Sequence, residues 1–408
     1  MIKKTVLLLL LTALLLAPAL QAQTKNSVYS MFGIGQVIDD SYGINQSFGG
    51  AGIAFQSGRF INHANPASYL GVLPHSFIAE LGAYGMLNRS ESNQSNQHSA
   101  AVNINYFSMG LYLMDRWSAS AGFVPYSYID YEIHSQDEIG GELTTYKKVF
   151  KGTGGMSKVY LGNAVQLIKG VSVGANIAYI GGPITQTESA AASGSFSGYQ
   201  LKTERSAYGL CFDYGLQASV PLREWVYSIG LTYAPAKSLT TDNERTFTYD
   251  NKTSKLEKDR TQDIRLPQRL GIGVALRHGN RWRAGADYEL SKWSEIDFSN
   301  PVLSTRNSQR ISAGMEFVPG AKGKGAGIFS WRLGGRYKST YMEISDTPID
   351  AMAVDLGMGI AINPVFNFNL TLEYGREGTL SSHLIRNNYL ALYVNYSLHD
   401  FWRRRNYY

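Results

Sequence analysis

The 408 residues carry 38 Lys and Arg against 32 Asp and Glu, a formal charge of +6 that is scattered along the chain and too small to argue for nucleic acid. Beyond residue 22 no apolar run approaches the roughly 18 residues a spanning helix needs, and mean hydropathy is −0.18, so the chain crosses a membrane by strands or not at all. A single cysteine, Cys211, excludes an internal disulfide, and its alternation with Asp213 and Gly215 reads as a small packed residue.

Lys3 and Lys4, the apolar run Val6 to Leu16, Pro18 and the small Ala22 form a secretory signal over residues 1–22, with cleavage expected before Gln23. The mature chain is then predicted to divide into an N-terminal hatch at 23–75, a barrel at 76–398 and a periplasmic tail at 399–408.

From Ser76 onward, period-two alternation recurs about fourteen times, which predicts an all-β fold: a 14-stranded antiparallel transmembrane β-barrel of the bacterial outer membrane. The 42 glycines and 27 tyrosines suit close strand packing and interfacial girdles. Expected strands run from Ser76–Asn88 to Asn388–Leu398. Brief turns such as Asp115–Arg116 and Lys169–Gly170 follow even strands. Longer polar stretches, among them Arg89–His98, Ser189–Gly198, Thr240–Gln262 and Trp293–Ser308, follow odd ones and read as external loops, with Gly320–Gly327 as the long exception.

The alternation also assigns faces. Val171, Val173, Ala175, Ile177 and Tyr179 are expected to face lipid, as are Phe366, Phe368, Leu370, Leu372 and Tyr374. Arg277, Arg283, Asp287, Glu289, Glu316, Arg332, Arg336, Asp355 and Glu373 are then lumenal, because Arg or Lys on the lipid face at mid-membrane costs about 2–4 kcal/mol. The mixed signs suggest a paired lattice that braces the wall, with direct substrate binding as the alternative.

Fourteen strands enclose more space than wall side chains can fill. Residues 23–75 hold turn formers, including Gly49, Gly50 and Asn65-Pro66, and aromatics such as Phe48, Phe55 and Phe60 that argue against a disordered tail. Their expected place is inside the bore.

Phe48-Gly-Gly-Ala-Gly-Ile-Ala-Phe55 and Asn65-Pro66-Ala67, with Leu266-Pro267 and Trp282, Asp287, Tyr288, Trp293 and Ser294 further on, resemble the FadL family of long-chain fatty acid and hydrocarbon transporters, in a form similar to Bacteroidetes-type members. The resemblance implies passive uptake of hydrophobic small molecules, with capture among external loops, passage beside a hatch and lateral release through a gap at the third strand. It designates Phe48, Gly49, Gly50, Phe55, Asn65, Pro66 and Ala67 as hatch residues. No basic residue matches a carboxylate clamp; Arg59 is a candidate head-group partner because Arg binds carboxylates bidentately, with a structural contact to a lumenal acid as the alternative. Gly122 and Pro125, in the middle of the third strand, are the lateral-portal candidates, since proline cannot donate to a ladder; an ordinary irregularity is the alternative. In the second strand the apolar phase shifts near Tyr106 and Phe107, which predicts a bulge.

Polar external stretches leave no bulky apolar capture groove. No catalytic or metal-ligand pattern is present, so neither enzymatic activity nor a cofactor is expected. Outer-membrane lipids are expected neighbours, with Phe401 and Trp402 at the boundary and Arg403 to Arg405 at anionic head groups. A second reading makes the barrel a non-transporting accessory subunit of an envelope protein complex for outer-membrane secretion or assembly.

Overall fold

The computed structural model describes residues 27–138, 145–192, 198–250, 252–298, 302–320, 329–362 and 365–401. The segment expected to be the signal, residues 23–26, most of the C-terminal tail, the Gly-rich stretch at 321–328 and residues 139–144, 193–197, 251, 299–301 and 363–364 lie outside the described residues.

The wall is a closed antiparallel barrel of fourteen strands. They are β1 (Ser76–Glu91), β2 (Asn96–Met114), β3 (Trp117–Glu138), β4 (Thr145–Ile168), β5 (Val171–Ala192) and β6 (Tyr199–Leu222). β7 runs in two pieces, Trp225–Ala234 and Lys237–Tyr249, and β8 in two, Lys252–Leu266 and Arg269–His278. Then come β9 (Trp282–Ser291), β10 (Ser308–Phe317), β11 (Phe329–Ile344), β12 (Thr347–Ala361), β13 (Phe366–Gly378) and β14 (Arg386–Phe401). Each pairs with its chain neighbour, and β14 closes on β1 from Arg386↔Glu91 to Phe401↔Ser76.

Two stretches expected as loops are strand. Residues 240–262 continue as a hairpin, with Lys252 opposite Tyr249 and Leu266 opposite Lys237. Residues 89–98 mostly extend β1 and β2, leaving a tight turn between Glu91 and Asn96. The cause is shared: Thr, Glu, Lys and Arg dominate 240–262, and Ser, Asn and Gln dominate 89–98, without an apolar face, and a strand standing in water needs none. The last strand likewise continues past Leu398 to Phe401.

The expected faces hold along β5, β13 and β14, where outward Ile177, Tyr179, Leu372, Tyr374, Leu390 and Leu392 are exposed while Asn176, Ala178, Thr371, Glu373 and Ala391 between them are buried. Exposed Trp117, Trp225 and Trp282 lie beside the short turns, and exposed Trp331 lies at the same end of the wall opposite Phe317, as an interfacial girdle requires. On the inner face the mixed charges pair: Arg283 Nη2 meets Glu316 Oε2 at 2.8 Å, Arg332 Nε meets Glu316 Oε1 at 2.8 Å, and Arg336 Nη2 meets Glu373 Oε1 at 2.6 Å.

The wall is uneven in height. β3 to β6 hold 22 to 24 residues each, whereas β9 and β10 hold 10. About 10 tilted residues cross a bilayer, so one flank rises well beyond it. That flank carries surface ion pairs such as Lys151 with Glu132 (3.2 Å), Lys202 with Glu204 (2.8 Å) and Arg260 with Asp242 (3.5 Å).

One seam is incomplete. β2 and β3 pair only from Met114↔Trp117 to Phe107↔Phe123, and beyond that point the outer halves of the two strands share no rung among the described residues. Irregularities flank the divergence. Asn105 has no opposite number on β1, which partners Ile104 with Ala83 and Tyr106 with Gly82. On β3, Tyr126 is the extra residue between Pro125↔Ser157 and Ser127↔Met156.

Candidate functional site: a filled bore beside an open seam

Residues 27–75 pack against inner faces of strands on both sides of the barrel, and glycines on those faces make the room. A Cβ on Gly334 would overlap the Phe48–Gly49 backbone, one on Gly230 the Ile53 carbonyl, one on Gly174 the Pro66 carbonyl carbon and one on Gly215 the Asn65 side chain. Gly49 and Gly50 have φ of 70° and 90°, and Gly49 lies against the Gly335 backbone. Both demands, left-handed backbone and close approach, favour residues without a Cβ.

Asn65 is fully buried and caps the short helix Pro66–Gly71, its Oδ1 accepting from Ala67 N at 3.0 Å. Its Nδ2 donates to the carbonyls of Ile53 (2.8 Å) and Leu216 (3.1 Å), joining two parts of the inner segment to the wall. Asp287 Oδ2 accepts from the backbone N–H groups of Gly52 (2.6 Å) and Ile53 (2.8 Å), and Gln217 Nε2 donates to the carbonyls of Ile53 (2.9 Å) and Phe55 (3.1 Å). The Phe48 and Phe55 rings meet edge-on at 4.8 Å, with the Arg283 guanidinium 5.8 and 5.6 Å from their centroids.

An acidic pair supplies the electrostatic lock. Asp39 Oδ1 meets Lys338 Nζ at 2.6 Å; Asp40 Oδ2 meets Arg269 Nη1 at 2.6 Å and Lys158 Nζ at 3.7 Å. Burial alone would raise the Asp40 carboxyl, but Arg269 and Lys158 outweigh it and hold it down to about 2. His63 lies edge-on to Tyr42, Tyr106 and Tyr160, with centroids 5.3 to 5.6 Å away. Burial lowers it to about 4, against the opposing pull of Asp40.

The open seam adjoins this segment. Gln36 and Val37 pair antiparallel with Tyr128 and Ser127 of β3, Ile38 N donates to Tyr126 O at 2.9 Å, and Ser27 N donates to Asp130 O at 2.9 Å. The inner segment therefore covers the β3 side of the gap. Behind it lies a cavity of about 390 Å³ whose lining includes Ile104, Pro125, Ile129, Met352, Tyr389 and Tyr393, with Arg336, Lys338 and Glu373 on one side. A second cavity of about 720 Å³, lined by Arg59, Arg277, Arg281 and Glu316, lies toward the short-turn end.

Of the residues singled out in the sequence, Phe48, Gly49, Gly50, Phe55, Asn65, Pro66 and Ala67 all lie buried in the packed segment. Arg59 is apart from them, exposed at the second cavity, its carbonyl 2.8 Å from His399 Nε2. Pro125 lines the first cavity, and its carbonyl accepts from the Tyr42 hydroxyl at 2.5 Å. Gly122 sits one residue below the last rung of the seam, opposite Ser108. The bulge in β2 falls at Asn105, just before the expected position. Asp39 and Asp40 went unremarked in the sequence, although an acidic doublet in a segment meant for a charged bore is a signal for wall partners.

This architecture is that of a closed fourteen-stranded antiparallel β-barrel with an apolar outer band. Solved structures share it: the monoaromatic hydrocarbon channel CymD (15% identity, 91% of this chain and 99% of that one, TM-score 0.58), the Ralstonia pickettii toluene transporter TbuX (14%, 89% and 99%, 0.60) and a Pseudomonas aeruginosa FadL homologue (11%, 91% and 100%, 0.59). The fold is thus the FadL-type barrel that the sequence motifs suggested. The chain belongs to the BamG family, whose model matches residues 1–408. No curated protein matches it.

Proposed function

We propose that this barrel admits hydrophobic compounds, long-chain fatty acids or hydrocarbons, passively across the outer membrane and releases them sideways between β2 and β3. Residues 23–75 act as the hatch, and the chain reaches the membrane after cleavage of its signal. The observation that carries the reading is the unpaired seam beside a cavity of about 390 Å³, within the usual size of a small-molecule site. A greasy cargo gains about 0.8 kcal/mol per CH₂ on entering the bilayer core, so a side exit is favoured over an aqueous one. Ile104, Ile129 and Met352 offer it apolar contact, and Arg336 and Lys338 could hold a carboxylate. Pro125→Val, a strand former in place of the proline, should restore pairing and slow uptake of labelled fatty acid by whole cells. Unchanged uptake in a correctly folded variant argues against the seam as a route.

A second reading, an accessory subunit of an outer-membrane secretion or assembly complex, is favoured by the tall polar flank of β3 to β8, which supplies a protein-facing surface and no apolar capture groove among its described residues. It is also supported by membership of a family of its own beside only 11–15% identity to the hydrocarbon channels. Purification from native cells in gentle detergent, with mass spectrometry of bound lipids and associated proteins, separates the two: cargo-like lipid supports the channel, a stoichiometric envelope protein the subunit.

A further inference from the structure

The two sides of the open seam are unequal. The β3 edge is covered from Tyr126 to Asp130 by the inner segment, while the β2 edge from Asn96 to Ile104 pairs with β1 alone and Asn105 bulges out of that ladder. Alternate N–H and C=O groups of that stretch therefore point into the gap without a strand to receive them among the described residues.

Exposed sheet edges are normally blunted by Lys, Pro or inward charge. Asn96-Gln-His-Ser-Ala-Ala-Val-Asn-Ile-Asn105 contains no Lys, Arg, Asp, Glu or Pro. Val102 and Ile104 are 52% and 57% exposed and continue outward the apolar row of Phe107, Met109 and Leu111, which places this part of the edge in the outer leaflet. Lipid tails cannot satisfy backbone groups, and the one side-chain partner of a backbone N–H of this edge among the described residues is Asn103 Oδ1, which accepts from Ile104 N at 2.8 Å.

We propose that the outer half of β2 is the seat for an extended strand of a different envelope protein, added edge to edge. Main-chain bonds would supply affinity and the outward row at Val102 and Ile104 would supply side-chain contact. The absence of charge along the edge selects a neutral segment, apolar where it meets lipid and polar above. The tall flank beginning at β3 would support the folded part of the same partner. This deepens the accessory-subunit reading and rests on it.

Hydrogen–deuterium exchange tests the seat on full-length protein purified in gentle detergent with its associated proteins and, separately, on the isolated barrel. The gap-facing amides between Gln97 and Asn105 should exchange at least tenfold more slowly in the assembly, and Val102→Pro should release the partner while the barrel keeps its heat-modifiable migration. Co-purification with those amides unprotected overturns the seat and leaves the subunit reading intact. Absence of any stoichiometric partner overturns both. Equal protection in the isolated barrel, or in a dimer of this chain alone, assigns the edge to its own chain or a second copy and overturns the partner strand.

Discussion

Asp40 Oδ2 lies 2.6 Å from Nη1 of Arg269, and that contact ties the inner segment to the wall at a buried site. The same guanidinium reaches Asp213 at 3.4 Å, and Lys158 Nζ stands 3.3 Å from Asp213. Two cations and two carboxylates thus neutralise one another across three strands and the segment they surround. Removing one member strands a buried charge, which typically costs about 3–5 kcal/mol. Asp40→Ala should therefore loosen residues 27–75 without opening the barrel. Limited proteolysis should cut the segment while the wall still resists heat; a variant as resistant as the parent would show that the pair carries little of the attachment.

The same contact predicts an acid limit. Asp40 is held at about 2 when folded, below the ordinary Asp value near 3.9. A depressed carboxyl contributes stability that is complete above its unfolded value and is lost as pH falls through its folded one. The segment should loosen between about pH 4 and pH 2, and Asp40→Asn should remove that part of the titration. Tryptophan fluorescence and protease sensitivity across the range are the readouts.

The glycines of the inner wall give a steric test. Gly334 and Gly215 lie where a Cβ would strike the backbone of Gly49 and the side chain of Asn65, whereas a Cβ on Gly85 meets ordinary contacts at 3.9 Å. Gly334→Leu and Gly215→Leu should displace the segment and raise single-channel conductance in planar bilayers. Gly85→Ala should behave as the parent. Unaltered conductance in both leucine variants would mean that the bore stays closed without those close approaches.

These glycines also show what could be read from the sequence. The strands were legible because lipid imposes an apolar residue at every second position, as along Leu390, Leu392 and Val394, and the inner charges followed by elimination. Inner-segment residues such as Asn65 and Gly49 stood out by turn chemistry. Partner choice was not legible: nothing local says that Asp40 should meet Arg269, more than two hundred residues away, or that Gly334 faces Gly49. The hairpin at 240–262 was missed because the alternation that marks a strand comes from lipid, and that hairpin stands above it. The seam was half legible, since Pro125 and the phase shift near Tyr106 and Phe107 mark the two strands, but their divergence is a relation between them.

His63 offers the last test, and its sign differs from a surface histidine's. Its ring sits among Tyr42, Tyr106 and Tyr160, with Asp40 favouring and Lys158 opposing its protonation; burial dominates and lowers it to about 4. The unfolded chain takes up the proton near pH 6.5, so between pH 6.5 and 4 it binds more protons than the folded one, and stability falls as pH falls. The inner segment should therefore begin to lose protection near pH 6, before the Asp40 titration begins. His63→Gln, which cannot be protonated, should abolish this first step and leave the one below pH 4 in place. Protease resistance measured from pH 8 to pH 3 resolves the two, and a first step that survives in His63→Gln would assign it to another group.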